Sequence, residues 1–182
     1  MPLLIGLTGR ARVGKDTAAS FLANDYLLKR YAFAQPIKDA AEAMGFARSV
    51  YDNDDMKERV IQGLGVSYRR ILQTLGTEWG RSLNPDFWLL LAKLQWEQVK
   101  RQGVGMVISD VRFANEANWI RSEGGLLIHI DGPVRADVSE ATMRHASENG
   151  VERDLGDVVV SNIASLDFLQ LQLRSAVERF RT

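Results

Sequence analysis

The sequence of 182 residues contains no cysteine, carries no formal net charge and has no long apolar run. Without cysteine the chain cannot form disulfides, thiolate metal sites or a cysteine nucleophile. Its 23 basic residues balance 23 acidic residues, so it lacks the basic field that nucleic-acid binders use. The apolar run at 3–7 is too short for a signal peptide, and the run at 87–92 cannot cross a membrane. We therefore expect a cytoplasmic protein that binds neither nucleic acid nor membranes.

The composition is that of an ordinary globular protein, with 46% hydrophobic and 25% charged residues. At this length the chain most simply forms one domain with a substantial core. Nothing in the sequence fixes the number of subunits, and a homodimer is compatible with it.

A loop bounded by glycines follows the first apolar run. Gly9 to Thr17 (GRARVGKDT) lies between the run at 3–7 and an amphipathic segment that holds Ala18, Phe21 and Leu22. Strand, glycine-bounded loop and helix in this order are typical of a phosphate-binding P-loop. Its backbone N–H groups and the helix N-terminus attract phosphate, and the ammonium group of Lys15 is placed to reach the outer phosphates. The competing interpretation is a glycine-rich turn that ends in a surface lysine.

Asp16 departs from the general pattern, in which Ser or Thr follows the lysine and its hydroxyl binds Mg²⁺. A carboxylate beside a polyphosphate is repulsive unless a cation lies between them. Asp16 therefore either contacts the Mg²⁺ shell or caps the helix while Thr17 supplies the hydroxyl.

Strands and helices alternate along the chain, which predicts a parallel sheet covered by helices on both faces. The predicted helices follow the loop, run from Gln35 to Gly45, lie near 56–62, and begin at Ser67, Asn84, Phe113 and Ser165. The apolar faces of three of them consist of Ile37, Ala40, Ala41 and Met44; Tyr68, Ile71, Leu72, Leu75 and Trp79; and Phe87, Leu90, Leu91, Leu94 and Val99. The five predicted strands are 3–8, 29–34, 105–110, 126–130 and 157–161.

Asp110 ends a buried strand, and Arg112 follows it. In a parallel sheet, ligands lie beyond the carboxyl ends of the strands, so both residues are directed toward the site of the P-loop. A carboxylate here suits Mg²⁺ or its bound water. The alternative role for Asp110 is to cap the helix that follows. His129 lies between apolar residues of the next strand, and we assign it a structural role.

The long helical segment after the second strand and the charged segment 131–156 suit a kinase that acts on a small phosphorylated acceptor. Arg69 and Arg70 lie in the first turn of a helix, where cations oppose the helix dipole unless an anion compensates. One of them either faces a phosphate or is a plain surface arginine. Trp88 is more typical of packing than of base stacking.

In these motifs and their order, the chain resembles the bacteriophage-type deoxynucleoside monophosphate kinases of the P-loop kinase superfamily. The resemblance covers most of the chain and rests on Gly14-Lys15-Asp16-Thr17, Pro36-Ile37-Lys38-Asp39-Ala40, Arg69-Arg70 with Gln73 and Leu75-Gly76-Thr77, Ile108-Ser109-Asp110-Val111-Arg112 with Glu116, Ile128-His129-Ile130, His145 with Glu148, and Val160-Ser161-Asn162.

The resemblance implies transfer of the γ-phosphoryl group of ATP to a deoxynucleoside 5′-monophosphate, with Mg²⁺, in the host cytoplasm if a phage encodes the chain. It implies a single P-loop kinase domain with a core of 1–34, 104–130 and 157–182, an acceptor-binding helical insert at about 35–103 and a lid at about 131–156. The implied residues for ATP are Gly9, Arg12, Val13, Gly14, Lys15, Asp16, Thr17 and, near the adenine, Asn162. Those for Mg²⁺ are Asp16, Thr17 and Asp110, and those for catalysis are Lys15, Asp16, Asp110 and Arg112.

For the acceptor, the resemblance implies Lys38, Asp39, Arg69, Arg70, Trp88, Arg112 and Glu116, with Arg135 and Arg144 in the lid. Two alternatives compete with this assignment. One is another small-molecule P-loop kinase that resembles dephospho-coenzyme A or phosphomevalonate kinases. The other is a regulatory or nucleic-acid-packaging module that binds nucleotide without phosphoryl transfer.

Overall fold

The computed structural model describes residues 2–51, 54–133 and 151–182. It contains one five-stranded parallel sheet in the order β2-β3-β1-β4-β5. The strands are β1 (Leu4–Thr8), β2 (Lys29–Tyr31), β3 (Met106–Ile108), β4 (Leu126–Asp131) and β5 (Val158–Ser161). All five predicted strands are confirmed; β2 and β3 are shorter than predicted because their shared ladder covers only three residue pairs.

Helices cover both faces of this sheet, as predicted. Ile5 and Leu7 of β1 pack on one face with residues of α1 (Lys15–Tyr26) and α8 (Leu166–Arg181). Gly6 faces the opposite side, where a Cβ atom would lie 2.5 Å from Ile120 of α7 (Ala114–Ser122). This alternation follows from the two-residue period of a strand, and it requires β1 to be apolar on both faces.

The chain divides into two compact units. The core unit consists of Met1–Ala32 and Leu94–Thr182, and the insert unit of Phe33–Lys93. The insert therefore ends about ten residues before the expected position, inside α6 (Phe87–Arg101). The last turns of α6 belong to the core unit because the indole N–H of Trp96 and the ammonium of Lys100 donate to Glu123, at distances of 3.0 and 3.2 Å.

The insert unit contains α2 (Gln35–Ala43), α3 (Arg48–Tyr51), α4 (Asp54–Glu58), α5 (Tyr68–Gln73), a π-helix (Thr74–Arg81) and the beginning of α6. The predicted cap at Ser67 is confirmed, since its hydroxyl accepts a hydrogen bond from the N–H of Arg70. The helix predicted near 56–62 lies slightly earlier, and α3 was not predicted. Helix α6 begins two residues after Pro85, where the Asn84 side chain accepts from the N–H of Asp86.

Several residues predicted to lie on buried helix faces are exposed. The helix from Ser67 continues as a π-helix after Gln73, which places Trp79 at 49% exposure. The other residues of the three predicted apolar faces that the structure exposes are Ala40, Met44, Leu90 and Leu94. On α6 the predicted burial of Val99 is confirmed, and the rest of its buried side is formed by Trp88, Leu89, Ala92 and Trp96.

Across the described ranges, no helix combines the length and the apolar character that a bilayer span requires.

Candidate functional site

The carboxyl ends of the strands bring the predicted core residues to one edge of the sheet. The segment after β3 runs beside the end of β1, since the N–H of Val111 donates to the carbonyl of Leu7 at 3.0 Å. The connections from the adjacent strands β1 and β3 run in opposite directions across the sheet, from β1 to β2 and from β3 to β4. Such a topological switch point is where open α/β sheets bind ligands.

The loop between β1 and α1 depends on glycine at two positions. Gly9 has a φ of +143°, and a Cβ atom there would lie 2.4 Å from the carbonyl oxygen of Ile130. Gly14 has a φ of +99° and forms the N-cap of α1, a position without a side-chain cap. Arg12 also adopts a left-handed conformation, with a φ of 61°. Backbone strain of this kind is concentrated at ligand-binding loops.

The Lys15 ammonium lies over this loop. Its Nζ donates to the carbonyl of Gly9 at 2.8 Å and to that of Arg10 at 2.7 Å. The side chain therefore folds back from the first residue of α1 across the turn that precedes it. A phosphate anion bound at the helix N-terminus would compete with these two carbonyls for the ammonium.

Asp16 and Thr17 lie in the exposed first turn of α1. Because Gly14 is the N-cap, Asp16 is not the capping residue, although its charge suits the positive end of the helix dipole. Arg30 of β2 lies 4.0 Å from the Asp16 carboxylate and donates to Ser20 at 3.0 Å. Both partners of this ion pair are more than half exposed, so it is a weak contact.

The Glu116 carboxylate contacts the backbone directly before α7. It is buried and accepts hydrogen bonds from the backbone N–H groups of Arg112 at 2.9 Å and Phe113 at 3.1 Å. Helix α7 begins only at Ala114, so the interpretation of Asp110 as its cap is wrong. The carboxylate at the start of α7 is that of Glu116, and it fixes the backbone that carries Arg112.

Asn162, predicted to lie near the adenine, contacts the loop itself. It follows β5, and its Nδ2 donates to the carbonyl of Val13 at 2.9 Å. The core unit thus places Asn162 beside the loop that holds the other residues predicted for ATP.

Three of the predicted acceptor residues of the insert unit, Asp39, Arg69 and Arg70, have partners within that unit. The guanidinium of Arg69 bonds to Glu58, and that of Arg70 lies 2.6 Å from Glu78. The Asp39 carboxylate accepts from Gln35 at 2.7 Å, and Lys38 is half-buried in the same helix.

Trp88 is 5% exposed, and its indole N–H donates to the carbonyl of Gly76 at 2.7 Å. This position favours the packing interpretation of Trp88. The two lid candidates, Arg135 and Arg144, lie outside the described residues.

Sequence reasoning missed two residues beside the loop, Thr8 and Arg30. Thr8 is 1% exposed, and its Oγ1 is the one buried side-chain polar atom without a hydrogen-bond partner in the described part of the chain. The available signal was a hydroxyl that ends an apolar strand directly before Gly9. For Arg30, in a short exposed strand, the sequence offers no comparable signal.

The structural role predicted for His129 agrees with its surroundings. Its ring is buried, and Nε2 lies 2.8 Å from the carboxylate of Asp157. Arg121 donates to the same carboxylate through Nε and a terminal nitrogen, at 3.1 and 2.6 Å. Burial alone would raise the pKa of Asp157, but hydrogen bonds from Arg121, the Asp154 N–H and His129 outweigh it and lower that pKa.

A family model described as deoxynucleotide monophosphate kinase matches residues 3–68 and 43–173. The chain belongs to this family. A protein of Acanthamoeba polyphaga mimivirus is 32% identical over 190 residues, which cover 97% of this chain and 96% of the relative. The deoxynucleotide monophosphate kinase of Escherichia phage RB69 is 24% identical over 248 residues, covering 97% of this chain and 98% of the phage protein.

Solved structures outside the family share its fold. A dephospho-CoA kinase from Campylobacter jejuni superposes with a TM-score of 0.53 at 15% identity, covering 98% of this chain and 97% of that one. The fold assignment as a P-loop kinase, with a parallel sheet and helices on both faces, is therefore confirmed.

Proposed function

We propose that the protein transfers the γ-phosphoryl group of ATP to deoxynucleoside 5′-monophosphates and so forms the diphosphates. The observation that carries this proposal is the β1–α1 loop with the Lys15 ammonium over it, in a chain that belongs to the deoxynucleotide monophosphate kinase family. Phosphoryl transfer needs charge neutralisation and alignment of two anions rather than covalent chemistry from the protein. A cationic loop at a switch point meets the first of these needs.

In this proposal the loop binds the phosphates of ATP. Gly9 and Gly14 give the backbone its curvature, Lys15 exchanges its two carbonyl partners for phosphate oxygens, and Arg12 adds an exposed guanidinium. Val13 contributes its backbone to the same turn. The neighbouring N-terminus of α1 adds a partial positive charge.

The oxygen donors of Asp16, Thr17 and Asp110 fit Mg²⁺. The described ranges hold no cluster of three or more His, Asp or Glu side chains for a metal. Mg²⁺ in phosphoryl-transfer sites takes one or two carboxylates and completes its shell with substrate phosphates and water, so such a cluster is not needed. When bound, the ion neutralises charge that develops on the transferred group.

Arg112 is our principal candidate for the acceptor phosphate. Its backbone N–H is fixed by the buried carboxylate of Glu116, which gives its guanidinium a defined origin at the carboxyl end of β3. Lys38, Asp39, Arg69 and Arg70 stay predictions from the family resemblance.

An acceptor panel at fixed ATP and Mg²⁺ tests the proposal. We expect ADP release with one or more deoxynucleoside monophosphates and none with dephospho-coenzyme A or phosphomevalonate. Lys15→Ala should abolish the release, whereas the matched control Lys100→Ala, which removes a lysine of α6 bonded to Glu123, should retain it. Turnover of Lys15→Ala at the wild-type rate would remove Lys15 from the mechanism.

Arg112→Ala distinguishes the two substrates. We expect it to raise the KM for the monophosphate by about tenfold or more and to leave the KM for ATP nearly unchanged, since a charge-assisted bond is lost only to the acceptor. An effect confined to the KM for ATP would mean that Arg112 serves the donor.

A further inference from the structure

The side chain of Asn162 reaches the P-loop from the connection between β5 and α8. Its Nδ2 donates to the Val13 carbonyl at 2.9 Å, across 149 positions of sequence. A Cβ atom on Gly14 would lie 2.4 Å from the same Nδ2. The amide therefore packs directly against the peptide that joins Val13 to Gly14.

Asn162 is held firmly by its own neighbours. The Gln172 carboxamide accepts from the N–H of Ser161 at 3.1 Å and donates to its carbonyl at 2.8 Å. The N–H of Asn162 donates to the carbonyl of Asp131 at 2.6 Å. A donor whose backbone is fixed at its own N–H and at the preceding residue loses little freedom when it forms its hydrogen bond.

Space around this contact is fully used. A Cβ atom on Gly132 would lie 2.7 Å from Cγ2 of Val13 and 3.3 Å from the carbonyl oxygen of Asn162. The end of β4, the segment after β5 and the P-loop thus meet without room for a side chain at 14 or 132.

The hydrogen bond to Val13 determines where the N–H of Gly14 points. The peptide between them is planar and trans, so its carbonyl and its N–H point in opposite directions. Because Asn162 binds the carbonyl, the Gly14 N–H is turned away from Asn162. Gly14 is the N-cap of α1, where backbone N–H groups bind phosphate.

We propose that Asn162 is a positioning residue for the nucleotide phosphates, acting through the Val13–Gly14 peptide. The proposal rests on the proposed function only in requiring that the loop binds a nucleoside triphosphate. Loss of the Asn162 side chain should therefore lower the affinity for ATP and ADP and leave the affinity for the acceptor unchanged.

Isothermal titration of the full chain with ATP and with ADP, without acceptor, tests this role. Asn162→Ala removes the donor, and Asn162→Leu removes it while keeping the approximate volume. Both variants leave the Val13 carbonyl without its partner, so we expect affinity for both nucleotides to fall about tenfold. In turnover assays the KM for ATP should rise, and the KM for the monophosphate should stay unchanged.

Ser165→Ala is the matched control. Its hydroxyl caps α8 by accepting from the Phe168 N–H at 3.2 Å, so the variant loosens the same segment without touching the loop. Nucleotide affinity should then equal that of the wild type. Wild-type affinity in both Asn162 variants, or an equal loss in Ser165→Ala, would overturn the proposal. The Asn162 variants could lose nucleotide affinity while the wild type phosphorylates no monophosphate. In that case the proposed function fails and the positioning role stands.

Discussion

Thr8 ends β1 with a hydroxyl that is buried at 1% exposure and has no partner in the described part of the chain. An unsatisfied buried hydroxyl costs about 1–3 kcal/mol relative to an apolar group of the same shape. A protein tolerates such a cost most readily near a functional site. Thr8 directly precedes Gly9, so this unsatisfied hydroxyl lies at the start of the P-loop.

Replacing this hydroxyl by a methyl group should stabilise the chain. We expect Thr8→Val to raise Tm by about 2–4 °C, since it keeps the shape and removes the unsatisfied group. Thr8→Ser, which keeps the hydroxyl and loses the methyl group, is the control and should lower Tm. Differential scanning calorimetry provides the measurement, and a lower Tm for Thr8→Val would show that the hydroxyl has a partner in solution.

At the scale of single residues, the sequence motifs predicted where a site residue lies better than they predicted what its side chain does. The Gly9 to Thr17 pattern located the loop because the local backbone geometry of such a loop requires its glycines. The role of Glu116 could not be predicted, since it depends on which N–H groups turn toward a carboxylate once β3 has ended. Asn162 was placed near the ligand, but its bond to Val13 depends on a contact that no local pattern encodes.

At the scale of elements, the π-helix Thr74–Arg81 departs most from the prediction. A 3.6-residue period predicted one regular helix from Ser67, with Trp79 on its buried face. Trp88 of α6 packs beside Gly76 and Gly80, and its indole N–H donates to the Gly76 carbonyl at 2.7 Å. Trp79 is left half exposed. Such irregular turns arise from packing between distant residues, which hydrophobic periodicity alone does not contain.

Gly80 is required by this packing. A Cβ atom there would lie 2.5 Å from the Trp88 ring, so we expect Gly80→Ala to lower the free energy of unfolding by about 1–3 kcal/mol. This sign is the opposite of the usual Gly→Ala effect in a helix.

Gly156→Ala is the control for Gly80→Ala, because no atom lies within 4 Å of its added Cβ and it should be nearly neutral. Urea denaturation followed by tryptophan fluorescence measures both variants. Equal stability of Gly80→Ala and the wild type would contradict the packing account.

Regular elements were predicted well wherever the signal was local. Ser67 and Ser165 accept hydrogen bonds at the two helix starts they were expected to cap. The strands β1 and β4 were recognisable because strands buried on both faces appear as continuous apolar runs. The exposure of positions such as Leu94 on α6 was not predicted, since periodicity defines an apolar face but not the neighbour that covers it.

At the scale of the core unit, two carboxylates join elements that are distant in sequence. Asp157, directly before β5, binds Arg121 of α7 and His129 of β4. Asp25 of α1 accepts from Arg174 of α8 at 2.8 Å and from Gln170. Hydrogen bonds from Arg174 and Gln170 lower the pKa of Asp25, as the contacts of Asp157 lower the pKa of that carboxyl.

These shifts predict a loss of stability in acid. A carboxyl whose pKa is lower in the folded chain stabilises it above the unfolded pKa, near 4, and this contribution is lost as the pH falls through the folded pKa. We expect Asp157→Asn to cost about 2 kcal/mol at pH 7, because a buried charged hydrogen-bond partner is lost. The difference from the wild type should shrink below about pH 4.

Urea denaturation of the wild type and Asp157→Asn between about pH 7 and pH 3 measures this difference. Asp131→Asn is the control, since its exposed ion pair with Arg153 should contribute little. A stability difference that stays constant across this range would contradict the assigned pKa shift of Asp157.

The central claim, phosphoryl transfer from ATP to a deoxynucleoside monophosphate, is tested most directly by following ADP and nucleoside diphosphate together in one reaction. The account predicts that ADP appears only when a deoxynucleoside monophosphate is present, and that one deoxynucleoside diphosphate forms for each ADP. ADP release that does not depend on any monophosphate, or tight ATP binding without transfer to one, would contradict it.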